Sequence, residues 1–257
     1  MRKYISIIII VVSLWMIPSC KKESKCIEDN NKSIEFDLFM MSNELSNLTN
    51  ERKLRIHVND SHYCLGDSLS SSVYGQDFDV QNGSVYVLAT VIQNGTEDSS
   101  AVIYKDGLAL HYLPYSYNFY PKCIKVVQSD VYVGGDAKAS NGNIYIRLWK
   151  NGSISNVTDT QNRKSYIGDI EVDGTDVYIC GSEINTTNNK FTSRLWKNGV
   201  STYLGDDGRG AKIKKVNGKF IIGGYTGELP CYWNDLNISV LGNTSGFCFG
   251  ANFLGED

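Results

Sequence analysis

Four carboxylates and three lysines stand where they could face one another. Asp77 and Asp79 are two residues apart, as are Asp169 and Glu171, while Lys125, Lys212 and Lys214 occupy the corresponding places of other segments. Two carboxylates about 6.5–9.5 Å apart are what an inverting glycosidase uses, one as acid and one as base. The lysines offer the same groups a simpler role as ion-pair partners. Other chemistry is thinner. His57, His62 and His111 match no metal-ligand spacing, and the seven cysteines include no C-x-x-C pair, so neither zinc nor any other cofactor is expected. Cys64, Cys123, Cys180, Cys231 and Cys248 read as small buried hydrophobes. Gly205-Asp206-Asp207-Gly208-Arg209-Gly210 has the composition of a phosphate loop, but a strand-like run follows it where a helix N-terminus would be needed. No Gly-x-Ser-x-Gly elbow is present, and no catalytic residue is assigned.

What must position these groups is a repeat. Arg147-Leu148-Trp149-Lys150-Asn151-Gly152 returns 47 residues later as Arg194-Leu195-Trp196-Lys197-Asn198-Gly199. Each copy is a short strand entering an Asn-Gly turn, whose central residues take positive φ in a tight hairpin. The hairpin position runs His57, Tyr104, Trp149, Trp196, Trp233, and a second landmark runs Tyr86, Tyr132, Tyr178, Ile221 at spacings of 46, 46 and 43. A unit of that length with four strand-like runs and no apolar period of 3.6 has the size of a propeller blade. In the third unit the runs are 166–172, 177–180, 192–197 and 201–204. So small a sheet cannot bury both faces alone, so blades must stack, with the hairpin tryptophans filling the gaps between them. The expected fold is an all-β propeller of five four-stranded blades over residues 34–257. Residues 251–257 align with the first strand of a unit, and 34–41 read as a second strand. The last blade would therefore be closed by N- and C-terminal strands together.

Val131-Tyr132-Val133-Gly134-Gly135 followed by a Trp strand resembles the kelch blade. The Val-Tyr-Val-x-Gly and Trp-Lys-Asn-Gly pairing is similar to repeats of Bacteroidetes-type lipoproteins, and the period and size are similar to five-bladed lectin propellers. At the N-terminus Arg2 and Lys3 precede a largely apolar run over 5–17, too short to span a bilayer. It ends in Ile17-Pro18-Ser19-Cys20, which resembles the lipobox of bacterial lipoproteins. That resemblance implies a signal peptide over 1–19, a palmitate-type acyl anchor on Cys20, and an outer-membrane address on the periplasmic or cell-surface side. Residues 20–33 are charged and Asn-rich and read as a flexible tether.

Without residues 1–19 the chain carries 25 − 2 = 23 basic and 28 acidic residues, a net charge of −5. No basic stripe exists for a nucleic-acid backbone to find. The expectation is a binding module for a glycan or protein ligand, the alternative a glycoside hydrolase built on the carboxylates above. Candidate ligand loops join the second and third strands: residues 93–99, 136–143, 182–190 and 225–228. Asp136, Glu183 and Tyr225 could bond sugar hydroxyls there, with Tyr145 and Phe191 nearby to stack on a ring. The anchor has a direct check. Wild-type protein should incorporate radioactive palmitate and partition into detergent, and Cys20→Ala should do neither; equal labelling of the variant would refute the assignment.

Overall fold

The computed structural model describes residues 7–8, 38–45, 52–65, 71–93, 99–113, 119–159, 164–184 and 189–246. Cys20, the tether and the C-terminal strand expected over 251–257 lie outside the described residues. Every described element but turns is a strand, and the strands form five four-stranded sheets in chain order. Sheet two comprises Ser71–Gln81, Ser84–Gln93, Ser99–Lys105 and Leu108–Leu113. Sheet three comprises Phe119–Val127, Asp130–Lys138, Ile144–Lys150 and Ser153–Asn156. Sheet four comprises Ser165–Asp173, Asp176–Ile184, Phe191–Lys197 and Val200–Asp206. Sheet five comprises Gly208–Val216, Lys219–Thr226, Leu229–Asn234 and Asn237–Val240. These four are antiparallel meanders. Sheet one holds Leu38–Leu45, Arg52–Val58 and Ser61–Leu65, equivalent to second, third and fourth strands. Beside its Leu38 strand, in the place of a first strand, Ile7–Ile8 pairs in parallel.

The sheets stack face to face. Four apolar clusters each join consecutive sheets: one with two, two with three, three with four, and four with five. Trp149, Trp196 and Trp233 are buried in the last three, each on the face turned to the preceding sheet. The Trp233 indole also donates to the Leu204 carbonyl of sheet four at 3.0 Å. Truncating such a buried ring costs about 3–5 kcal/mol, so the tryptophans carry much of the adhesion between sheets. Five four-stranded sheets stacked in this way are consistent with a β-propeller.

The Asn of the Trp-Lys-Asn-Gly copies holds each sheet together internally. Asn151 and Asn198 sit at φ 45° and 50°, as the hairpin turn requires. Their side chains also reach back to the start of the second strand, accepting from the amides of Val131 and Val177 at 2.9 Å each. The backbone N–H of each donates to the carbonyl of the same residue. Asn59, Asp106 and Asp235 repeat the double contact on Leu38, Val85 and Phe220. One short oxygen-bearing side chain thus ties the hairpin turn to the start of the second strand in all five sheets, and Asn and Asp serve alike there.

The glycine pair has a different cause. Each complete sheet carries a β-bulge at the same place in its first strand, around Gln76, Lys122, Gly168 and Ala211. The bulge turns a first-strand carbonyl over the second strand. A Cβ on Gly135, Gly181 or Gly224 would stand 2.4, 2.1 or 2.0 Å from the carbonyl oxygen of Tyr120, Tyr166 or Arg209. Gly181→Ala should therefore destabilise the fold by about 1–3 kcal/mol in a chemical denaturation titration. Gly242→Ala, whose Cβ would meet nothing nearer than 3.9 Å, should leave the midpoint almost unmoved; equal midpoints for the two variants would contradict the bulge argument.

Candidate functional site

The bulges aim the first-strand side chains that follow them into one shared interior. The residues after the bulge form an upper tier, Asp77, Cys123, Asp169 and Lys212, and two positions on comes a lower tier, Asp79, Lys125, Glu171 and Lys214. The two tiers meet across sheets. Lys212 pairs with Asp77 of sheet two at 3.3 Å and Asp169 of sheet four at 3.5 Å. Lys125 lies 3.7 Å from Asp79 and 3.2 Å from Glu171, which also faces Lys214 at 3.8 Å. The carboxylates therefore have the lysine partners that their alternation in the sequence suggested.

They also serve the backbone. A first strand is hydrogen-bonded to a neighbour on one side only, so its outward amides need partners from elsewhere. Asp77 accepts from Ile124 N–H at 3.0 Å, Asp79 from Val126 N–H at 2.7 Å, and Asp169 from Ile213 N–H at 3.2 Å. Each bond runs from one sheet to the next. Burial pushes the Asp169 carboxyl up to about 6, against the pull of Lys212 and with a further push from Asp77. Burial raises Asp79 as well. It works against the charge of Lys212, yet Asp169 and Asp77 beside it keep that pKa above the ordinary lysine value.

Three residues before the upper tier, each complete sheet presents another repeated position: Tyr74, Tyr120, Tyr166 and Arg209, spaced 46, 46 and 43 apart. At about 3.3 Å per residue this end of the first strands lies some 10 Å from the upper tier. Tyr120 is 49 % exposed and the other three are half-buried. Tyr166 packs edge-on against Phe191 with ring centroids 5.9 Å apart, and burial followed by the Asp136 charge raises its pKa. Arg209 donates to the Ile167 carbonyl at 2.8 Å, leaving further guanidinium N–H groups.

The residues expected as ligand contacts gather at this same end of the sheets, on strands. The second strands run through Lys138, Ile184 and Thr226, so Asp136, Glu183 and Tyr225 are strand residues and the connections are shorter than the sequence suggests. Asp136 is paired in register with Tyr120, and Tyr225 with Arg209. Asp136 is buried, accepts from Ile167 N–H at 2.8 Å and pairs with Lys122. Glu183 is buried against Arg194 at 3.0 Å. Tyr145 lies in the cluster between sheets two and three, with the Arg147 guanidinium 5.0 Å over its ring. Tyr225 and Phe191 are half-buried.

The tyrosine tier is what reading the sequence missed. Its signal is the spacing of 46 between Tyr74, Tyr120 and Tyr166, which lie inside strands and not in the polar connections. Among the described residues no three His, Cys, Asp or Glu side chains converge to hold a metal ion. The sequence matches no protein-family model and no curated protein.

Proposed function

We propose that this chain is a lipid-anchored, exported five-bladed propeller that binds a glycan or protein ligand at the tyrosine end of its sheets. One observation carries the reading: Tyr74, Tyr120 and Tyr166 occupy one structural position in three sheets, with Arg209 in the fourth. A binding module built from repeats meets its ligand with the same position several times over. Tyrosine offers a flat apolar face and a hydroxyl at little cost in rotamer freedom, a combination suited to sugar rings and to protein surfaces alike. Acylation of Cys20 would hold this surface at the outer membrane, and removal of residues 1–19 would free the place beside Leu38–Leu45 that Ile7–Ile8 occupies, for the strand over 251–257 to close the ring.

A hydrolase is the second reading, favoured by the raised pKa of Asp169, the property of a general acid. Against it stands the engagement of that carboxylate by Lys212 and the Ile213 amide, together with the pairing of Asp77, Asp79 and Glu171 by lysines.

The test is a glycan array and a protein pull-down run on wild type and on Tyr74→Ala/Tyr120→Ala/Tyr166→Ala. Loss of signal at an unchanged melting temperature is expected. Undiminished binding by the triple variant would refute the site. Release of free sugar that disappears in Asp169→Asn would favour the hydrolase.

A further inference from the structure

One member of the tyrosine tier is a cation. At the place before the bulge where three sheets carry Tyr74, Tyr120 and Tyr166, sheet five carries Arg209. Cations elsewhere in these sheets are matched. Lys122 meets Asp136, Lys125 meets Glu171, Arg194 meets Glu183 and Lys212 meets Asp169. Among the described residues no carboxylate pairs with Arg209. Its side chain is half-buried and gives one N–H to the Ile167 carbonyl at 2.8 Å. A guanidinium holds five N–H groups in a planar fork, so this bond fixes the group and leaves most of the fork unused. The acids around it have other partners. Asp136 is buried on the Ile167 amide and Lys122, Asp207 pairs with Lys190, and Asp206 faces the Thr192 hydroxyl at 3.5 Å. A half-buried charge with no counter-ion is costly, and a ligand anion would offset that cost.

Arg209 also stands beside an aromatic ring of the tier. The carbonyl that it binds belongs to the residue after Tyr166. Burial and then the Asp136 charge raise the Tyr166 pKa, while the Arg209 charge lowers it, so the guanidinium lies within electrostatic reach of that hydroxyl. Tyr225 is in register with Arg209 on the neighbouring strand.

The chemistry of the anion follows from these surroundings. A guanidinium fork matches the two oxygens of a carboxylate, and one cation suits one negative charge. A polyanion would be repelled by Asp206 and Asp207, three and two residues before Arg209, and by a chain that carries a net charge of −5 without residues 1–19. A peptide adding itself as a strand would need free edge amides, and Asp136 already accepts from the Ile167 amide at this edge. What the tier offers is ring faces, hydroxyls and one fork. A sugar with one acidic unit presents apolar C–H faces, hydroxyls and one carboxylate to match them.

We infer that the ligand of the tyrosine tier is an oligosaccharide bearing a single carboxylate, and that Arg209 binds this carboxylate with the N–H groups not engaged by Ile167. The inference rests on the reading of the tyrosine end as a glycan site and adds the charge of the ligand. Arg209 is then the residue that separates acidic from neutral sugars.

The experiment is a glycan array holding oligosaccharides with one uronic or sialic acid unit, each as the free acid and as its methyl ester, beside neutral glycans. Pairs that bind are then titrated by calorimetry with the full chain. The ester keeps the rings and hydroxyls and removes the charge. Wild type should bind the acid at least about tenfold more tightly than the ester, as expected for hydrogen bonds to a charged group. Added salt should narrow that gap, and in Arg209→Gln the preference should disappear. Equal affinity of the wild type for acid and ester would overturn the inference, and this comparison needs no variant to fold. A preference for the acid that survives in Arg209→Gln would overturn it equally. Binding of neutral glycans alone would remove the carboxylate and leave the tyrosine site standing, whereas silence from every glycan would sink both. An aspartate-rich peptide bound as tightly as any acidic sugar would contradict the choice of a sugar.

Discussion

The centre of this molecule is a set of sheet edges, and an edge strand leaves backbone amides without ladder partners. In the interior such amides must be satisfied, because each buried unpaired group costs about 1–3 kcal/mol. This protein satisfies them with carboxylates from the adjacent sheet: Asp77 on Ile124, Asp79 on Val126, Asp136 on Ile167 and Asp169 on Ile213. Buried carboxylates in turn need positive partners, and Lys122, Lys125 and Lys212 supply them. The alternating charges of the first strands thus follow from the geometry of stacking sheets by their edges. The same bonds join one sheet to the next in the direction in which the tryptophans pack.

Much of this was legible in the sequence. The two Trp-Lys-Asn-Gly copies mark the third hairpin of sheets three and four, and the tryptophans fill the seams between sheets as their period implies. The pairing of carboxylates with lysines was visible as alternation. What was not legible has physical causes. The second strand of sheet four was read as 177–180 because Ser182 and Glu183 look like loop residues, yet it runs to Ile184. Both side chains are buried, and Glu183 is paired with Arg194, a partner that a one-dimensional pattern does not show. The bulge was equally hidden. Its mark is a glycine on the neighbouring strand, and Ala89 in sheet two breaks even that signature.

Function follows the same division. The lower interior is filled by paired charges, and what chemistry Asp169 could offer is tied to holding Ile213 in place. The other end of the first strands is where the repeat presents side chains outward, with Tyr120 half exposed and Arg209 only partly engaged. A surface of near-equivalent tyrosines on a rigid stack of sheets suits recognition, since its spacing is fixed by the clamps beneath it. Asp136 joins the two regions: it lies opposite Tyr120, raises the pKa of Tyr166, and holds sheet three to sheet four.

The clamp is the claim on which the rest stands, and amide hydrogen exchange measures it residue by residue. The Ile124 amide, bonded to Asp77, and the Val131 amide, bonded to Asn151, should both exchange slowly in the wild type. In Asp77→Ala the Ile124 amide should lose protection by at least about tenfold more than Val131, as expected for removal of a hydrogen bond to a charged acceptor. If both amides change by the same factor, or neither changes, the carboxylates are not what holds the sheets together.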